Sequence, residues 1–388
     1  MHEFLIRTNS TGYRGRSNST GYRGRVILIT LVLLLATAGL AIGEDRIQLA
    51  ILLDTSNSMD GLIGQAKSQL WKVVNELARA RRNGKAPVLE VALFEYGNDG
   101  LSGSEGYLRM VSDLTTDLDR ISEELFQLTT DGGSEYCGMV IDRAAEKLSW
   151  SRAKDVLKVI YIAGNEPFTQ GPVPYAASCA RAIKKGIVVN TIFCGSFDEG
   201  VATFWKDGAD RADGRYMSID QDEVVVAIDT PYDKDIVSFG NELNRTYIGY
   251  GSKGEALKSR QEAQDTNAAS MGQEATVQRS VAKAQGAYSN SGWDLVDAVT
   301  SRQVSLGALK DEELPPEMRK MTLAQKEQYV RELTNKRTEL RSKINMVNEK
   351  RRAWLAFATK NTAEKSTLDV AILSSVREQA QKLGFSIK

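Results

Sequence analysis

Between residues 47 and 222 the chain alternates short continuous apolar runs with amphipathic stretches. That is the pattern of strands buried on both faces with helices between them. Strands are predicted at 47–53, 88–96, 107–114, 157–163, 187–194 and 215–219. Helices are predicted at about 61–82, 117–128, 138–149, 174–185 and 198–212, the last closing at Asp213-Gly214. Only the second and third strands lack a helix between them, because residues 97–106 are rich in Gly, Asn and Ser. They should form a hairpin. The expected fold is an α/β, doubly wound, mostly parallel six-stranded sheet with one antiparallel edge strand.

After Asp220 the pattern becomes polar and mainly helical. A strand-like or loop bridge is expected over 229–250 and a helix over about 255–290, and Leu314-Pro315-Pro316 breaks the chain before a long helix over 322–360. In that helix Leu333, Leu340, Val347 and Trp354 recur every seven residues, while a second line of Leu323, Val330 and Ile344 is interrupted by Arg337. Three arrangements remain: a hairpin with the 255–290 helix, a coiled coil with a second copy in a homo-oligomer, or a solvated helix resting one apolar stripe on the first domain. The expected division is 1–43, 44–222, 223–321 and 322–388.

Residues 1–43 read as a targeting segment. Arg14, Arg16, Arg23 and Arg25 precede an apolar run from Val26 to Ile42, and Asn-Ser-Thr-Gly-Tyr-Arg-Gly-Arg occurs at 9–16 and again at 18–25. Ala41-Ile42-Gly43 offers a cleavage site, and a run of 17 residues is at the short limit for spanning a bilayer. Cleavage is favoured over retention as a membrane anchor, and either places the folded part outside the cytoplasm, periplasmic or secreted.

Composition removes several chemistries. Lys plus Arg and Asp plus Glu both number 50, so no overall field draws the chain to nucleic acid. The only histidine is His2, in the leader, which excludes a Ser-His-Asp triad, a Cys-His pair and a His-ligated zinc from the mature chain. Cys137, Cys179 and Cys194 are too scattered for a Cys-x-x-Cys site; one pair could form a disulfide, with the pairing unknown, or all three could be small buried apolar residues.

The informative segment closes the first strand: Asp54-Thr55-Ser56-Asn57-Ser58. One carboxylate and two hydroxyls at alternate positions, just past a buried parallel strand, gather oxygen ligands at the carboxyl edge of the sheet. Such ligands suit a small hard cation, Mg²⁺ first, Mn²⁺ or Ca²⁺ as alternatives.

This segment resembles the metal-ion-dependent adhesion site of von Willebrand factor A (vWA) domains, and the order of elements over about 46–222 agrees with that family. The resemblance implies that Ser56 and Ser58 bind the metal directly and Asp54 through water. It further implies a hydroxyl from a second loop, Asp131-Gly132-Gly133-Ser134-Glu135, where Ser134 replaces the usual Thr. The third loop departs from the family, since Gly164 stands where an aspartate is expected, in Ala163-Gly164-Asn165-Glu166-Pro167. Glu166 or Asn165 is the preferred substitute ligand, with Glu135 or Asp131 as other sources of charge. In the family a partner's acidic side chain fills the open coordination position, which implies a protein partner presenting Asp or Glu.

The expected function is therefore a protein-binding, adhesion or scaffold module without enzymatic activity. The alternatives are a metal-independent assembly scaffold with a degenerate site, and a Mg²⁺-dependent hydrolase using Asp54 as nucleophile. Enzymes of the last kind resembling the haloacid dehalogenases need an Asp two residues later, where this chain has Ser56. The Gly249-Tyr250-Gly251-Ser252-Lys253-Gly254 string lies outside the strand and helix alternation and reads as a turn rather than a nucleotide loop.

Overall fold

The computed structural model describes residues 45–223, 228–360 and 367–387; the expected leader, 1–43, lies outside them. These described residues form one compact unit. Among the described residues no helix is long and apolar enough to cross a membrane.

The chain runs β1 (Arg46–Asp54), α1 (Asp60–Ala78), β2 (Ala80–Arg81), β3 (Val88–Tyr96), β4 (Leu108–Thr115), α2 (Leu118–Gln127), α3 (Cys137–Lys147), β5 (Leu157–Gly164), α4 (Tyr175–Lys184), β6 (Val188–Cys194), α5 (Phe197–Ala202), α6 (Trp205–Asp210) and β7 (Tyr216–Ile219). Six of these strands form one sheet in the order β4-β3-β1-β5-β6-β7. All neighbours are parallel except β3 and β4, which form the expected hairpin at one edge.

Alternation along β1 separates two cores. Ile47, Leu49 and Leu53 face α1 and α2, whereas Ala50 and Leu52 join Phe94, Ile160 and Ile162 against α3 and α4. Both faces are covered, which is why these strands read as continuous apolar runs.

The remaining elements are α7 (Asp233–Asn244), α8 (Gly254–Ser270), α9 (Gln273–Ala284), α10 (Leu295–Thr300), α11 (Leu323–Ala358), α12 (Leu368–Lys382) and β8 (Ser386–Ile387). Three expectations change here. Residues 233–244, read as part of a strand-like or loop bridge, are helical. The 255–290 helix is broken at Met271-Gly272, where Gly272 adopts φ +105°. The 198–212 helix is two short helices with Phe204 at a left-handed corner between them, φ +71°.

The long helix α11 packs on α7 and α9 of its own chain. Helix α12 lies along the first face of the sheet beside α1, where Tyr161 Oη donates to the carbonyl of Ile372 at 3.1 Å. Past it, β8 pairs antiparallel with β2. The glycine string at 249–254 is a turn, with Gly249 bridging Asp294 and Gly254 opening α8. The three cysteines are free thiols, all buried, with no disulfide among them.

Candidate metal centre

Asp54 is the last residue of β1 and is paired in register with Tyr96, the last of β3, while Ala163 of β5 pairs with Leu53. Three loops therefore leave the same edge of the sheet around one carboxylate. The Ser56 N–H donates to Asp54 Oδ1 at 2.8 Å, a tight turn that points the next two side chains back over the strand ends. Ser56 Oγ and Ser58 Oγ lie 3.3 Å apart. Two hydroxyls at that spacing share one small region of space, as two ligands of a single cation would.

The second loop is stitched to the first by backbone bonds. Asp131 N–H donates to the Thr55 carbonyl at 2.9 Å and Asn57 N–H to the Gly132 carbonyl at 3.1 Å, while Ser134 bridges Gly97. Ser134 is half-buried beside the site. Its neighbour Glu135 goes further in and is almost fully buried, 2% exposed. The third loop reaches the first through Asn165, whose Nδ2 donates to Ser58 Oγ at 3.1 Å. Glu166 is half-buried, and its backbone carbonyl accepts from Trp205 Nε1 at 2.8 Å.

Two glycines create the space for this arrangement. Gly97 sits at φ +81°, and a Cβ there would come within 2.6 Å of Asp54 Oδ1 and 2.7 Å of Glu135 Cγ. A Cβ on Gly164 would lie 2.5 Å from the Tyr96 hydroxyl and 2.8 Å from Asp54 Oδ2. The third-loop aspartate of the family pattern thus has no room here. The second buried carboxylate comes from Glu135 of the second loop.

Burial, first of all, pushes both the Asp54 and the Glu135 carboxyl well above the usual range, and the negative charge of Asp54 raises Glu135 further. Glu166 adds repulsion to both. A proton held by Glu135 and shared with Asp54 lowers the Asp54 carboxyl and raises that of Glu135, but no donor group of any other residue reaches Asp54 Oδ2 or Glu135 Oε2, both buried. An unpartnered buried carboxylate oxygen is costly, and two such oxygens in one space call for a cation or a proton. The donor set fits a hard divalent ion: two carboxylates, two serine hydroxyls and the Asn165 amide, all oxygen ligands. Among the described residues no group of three or more acidic, cysteine or histidine side chains gathers on one point, so hydroxyls and water would complete the coordination.

Behind the carboxylates the floor of the site is apolar and closed. Tyr96 Oη donates to the Ala163 carbonyl at 2.9 Å, and the Cys137 thiol donates to Tyr96 Oη at 3.9 Å. No imidazole or ionised thiol is present, since burial pushes the Cys137 thiol well up. The site has a hard-cation ligand set.

No family model matches the sequence, and no curated protein matches it. Solved structures resemble about half of the chain. BatB from Bacteroides thetaiotaomicron is 15% identical, covers 45% of this chain and 90% of its own, with a TM-score of 0.35. The VWA domain of SpRpn10 is 17% identical over 45% of this chain and 88% of its own, TM-score 0.33. Proximal thread matrix protein 1 from the mussel byssus, solved with a zinc-occupied MIDAS motif, is 15% identical over 47% of this chain and 43% of its own, TM-score 0.36. Likeness at that level lends this chain no residue roles, and the fold rests on its own strand order and register. With the order β4-β3-β1-β5-β6-β7, the antiparallel edge and three loops meeting past β1, the protein has the doubly wound, mostly parallel α/β fold that the resemblance to vWA domains implies.

Proposed function

We propose that the protein is a cation-dependent protein-interaction module rather than an enzyme, holding a divalent ion, Mg²⁺ by preference, between Asp54, Glu135, Ser56 and Ser58. The single observation that carries this reading is the pair of buried carboxylates, each with an unpartnered oxygen, beside two hydroxyls 3.3 Å apart. Asp54 and Glu135 supply charge from below. Ser58, exposed at the surface, and Asn165 face the open side. A cation held this way keeps a coordination position toward solvent, and its chemistry there is to accept an oxygen from outside. A carboxylate of a partner protein, Asp or Glu, is the ligand that suits it. The basic residues 14–25 and the apolar run from Val26 to Ile42, read as a targeting segment, support placing this activity outside the cytoplasm.

Calorimetric titration of the mature chain with Mg²⁺, Mn²⁺ and Ca²⁺ tests the reading. Wild type should bind one equivalent, and the double variant Ser56→Ala with Ser58→Ala should bind about tenfold or more weakly, each lost ligand being worth about 1 kcal/mol or more. Unchanged binding in the double variant would place the ion elsewhere, and no binding in wild type would favour a metal-independent scaffold.

A further inference from the structure

Helix α5 leaves the carboxyl end of β6, on the same edge of the sheet as the cation loops, and it turns apolar side chains to solvent. Phe197 and Val201, four residues apart on one helical face, are 52% and 42% exposed, and Phe204 just beyond is 48% exposed. Single exposed apolar residues need no explanation, but three spaced along one short stretch form a patch, with Phe197 resting one side of its ring on Tyr216, centroids 4.9 Å apart. This stretch is tied to the cation loop by the bond from Trp205 Nε1 to the Glu166 carbonyl and by Phe168 N–H to the Thr203 carbonyl, 2.8 and 3.0 Å.

Phe204 is the informative member. Its φ of +71° is a conformation that a bulky side chain adopts only under strain. Neighbouring Trp205 is fully buried and packs on Phe168 and Phe193, so the packing of Trp205 fixes the corner. Glycine would take the same backbone without strain. The phenyl meets Tyr175 on one side, ring centroids 6.5 Å apart, and leaves 48% of the residue in solvent on the other. The contact with Tyr175 accounts for the covered side of the ring, and a partner accounts for the exposed side.

The charge of the rim narrows what that could be. Asp60, Asp99, Asp131, Asp198 and Glu199 are all exposed around the same edge. A second carboxylate on a partner would be repelled everywhere except at the cation itself. We propose that α5 and the Phe204 corner form the second half of the partner-binding surface. The partner is then an extended protein segment that offers one acidic side chain to the cation, flanked by aromatic or aliphatic residues and by Lys or Arg. This rests on the cation-dependent reading above.

A displayed library of random peptides, selected on the mature full-length chain in Mg²⁺, tests it. Enriched peptides should pair one Asp or Glu with an aromatic or aliphatic residue, carry no second acid, and release in EDTA. The triple variant Phe197→Ser, Val201→Ser, Phe204→Gly should bind the enriched synthetic peptide about tenfold or more weakly while taking up Mg²⁺ as wild type does. Phe204→Gly alone should weaken the peptide and raise the melting temperature, a combination a purely structural phenylalanine would not give. Undiminished peptide affinity in the triple variant, with EDTA sensitivity kept, overturns the α5 surface and leaves the cation reading standing. Peptide binding indifferent to EDTA, together with no heat of Mg²⁺ binding, overturns the cation reading itself. A selection that yields no acidic peptide, or a wild-type dimer in sedimentation that the triple variant abolishes, also overturns the proposal, the latter in favour of a second copy of this chain as occupant.

Discussion

Asp54 and Glu135 are held together by the fold in spite of their charge. Both are buried, both retain an unpartnered oxygen, and Gly97 at φ +81° is the residue that lets them approach. Like charges sharing a buried site destabilise the folded chain unless a proton or a cation relieves them. Glu135→Gln keeps the shape and removes one charge. In EDTA this variant should be more stable than wild type by about 1 kcal/mol, and the rise in melting temperature that Mg²⁺ gives wild type should largely disappear. Thermal melts with and without Mg²⁺ decide it; a destabilised variant with an intact Mg²⁺ response would assign Glu135 to packing alone. Asp54, Ser56 and Ser58 were legible in the sequence because their geometry is local, set by one strand end and one turn. Glu135 was named there only as a source of charge behind Glu166 and Asn165, since its approach depends on Gly97 and on backbone bonds between two loops. No spacing along the chain encodes that approach.

At the scale of elements, the arginines of the long helix extend its buried face beyond what the apolar repeat shows. Leu340 and Val347 of the uninterrupted line are buried, with Leu333 and Trp354 half-buried; on the other line Leu323 is exposed, but Val330, Arg337, Ile344 and Arg351 are all buried. Arg337 is bound by Asp294 and Asp297 of α10 and its cap, and Arg351 by Asp233 of α7 and Glu274 of α9. Apolar periodicity counts such residues as breaks because it cannot see a carboxylate waiting on another helix. A second network joins α2, α8 and α9 through Asp119, Arg279, Asp265 and Lys283, with the Arg279 guanidinium 4.3 Å from the centre of the Trp71 ring. Burial alone would push the Asp265 carboxyl up, but Arg279 and Lys283 outweigh it and hold it down at about 2. A carboxyl whose folded value lies below its unfolded value of roughly 3.9 stabilises the fold above that pH and loses the contribution as pH falls toward 2. Asp265→Asn should therefore cost about 3 kcal/mol at pH 7, leaving two buried cations underpaired. The gap to wild type should narrow between pH 4 and 2 in denaturant titrations. A gap independent of pH in that window would mean that the lost stability comes from shape rather than charge.

For the whole molecule the decisive feature is where the last helix goes. The sheet ends at β7, yet its first face is completed by α12 at the far end of the sequence. Gln65 of α1 marks the junction. Its Nε2 donates to the carbonyls of Asp220 and Gln221, 2.8 and 3.0 Å, as the chain leaves the sheet, and its Oε1 accepts from Leu368 N–H at 3.0 Å as α12 begins. The helices between these two points are thus enclosed by the α/β fold in sequence. They also share its core: Leu49, Leu53 and Tyr161 of the sheet, Val277 and Val281 of α9, Leu340 and Ile344 of α11, and Ile372 and Val376 of α12 belong to one continuous cluster. The alternation of apolar runs announced the sheet but not this closure, because an amphipathic C-terminal helix looks the same whether it covers the sheet or stands apart. Elements that share one apolar core unfold together, since opening either part exposes the other's buried surface. Scanning calorimetry of the mature chain should give one transition with calorimetric and van't Hoff enthalpies in agreement. Ile372→Ala, which opens a cavity against the sheet, should cost about 2–5 kcal/mol and lower that single transition as a whole. Two resolved transitions, only one of them moved by Ile372→Ala, would show instead that the helices from α7 to α11 fold apart from the sheet they pack against.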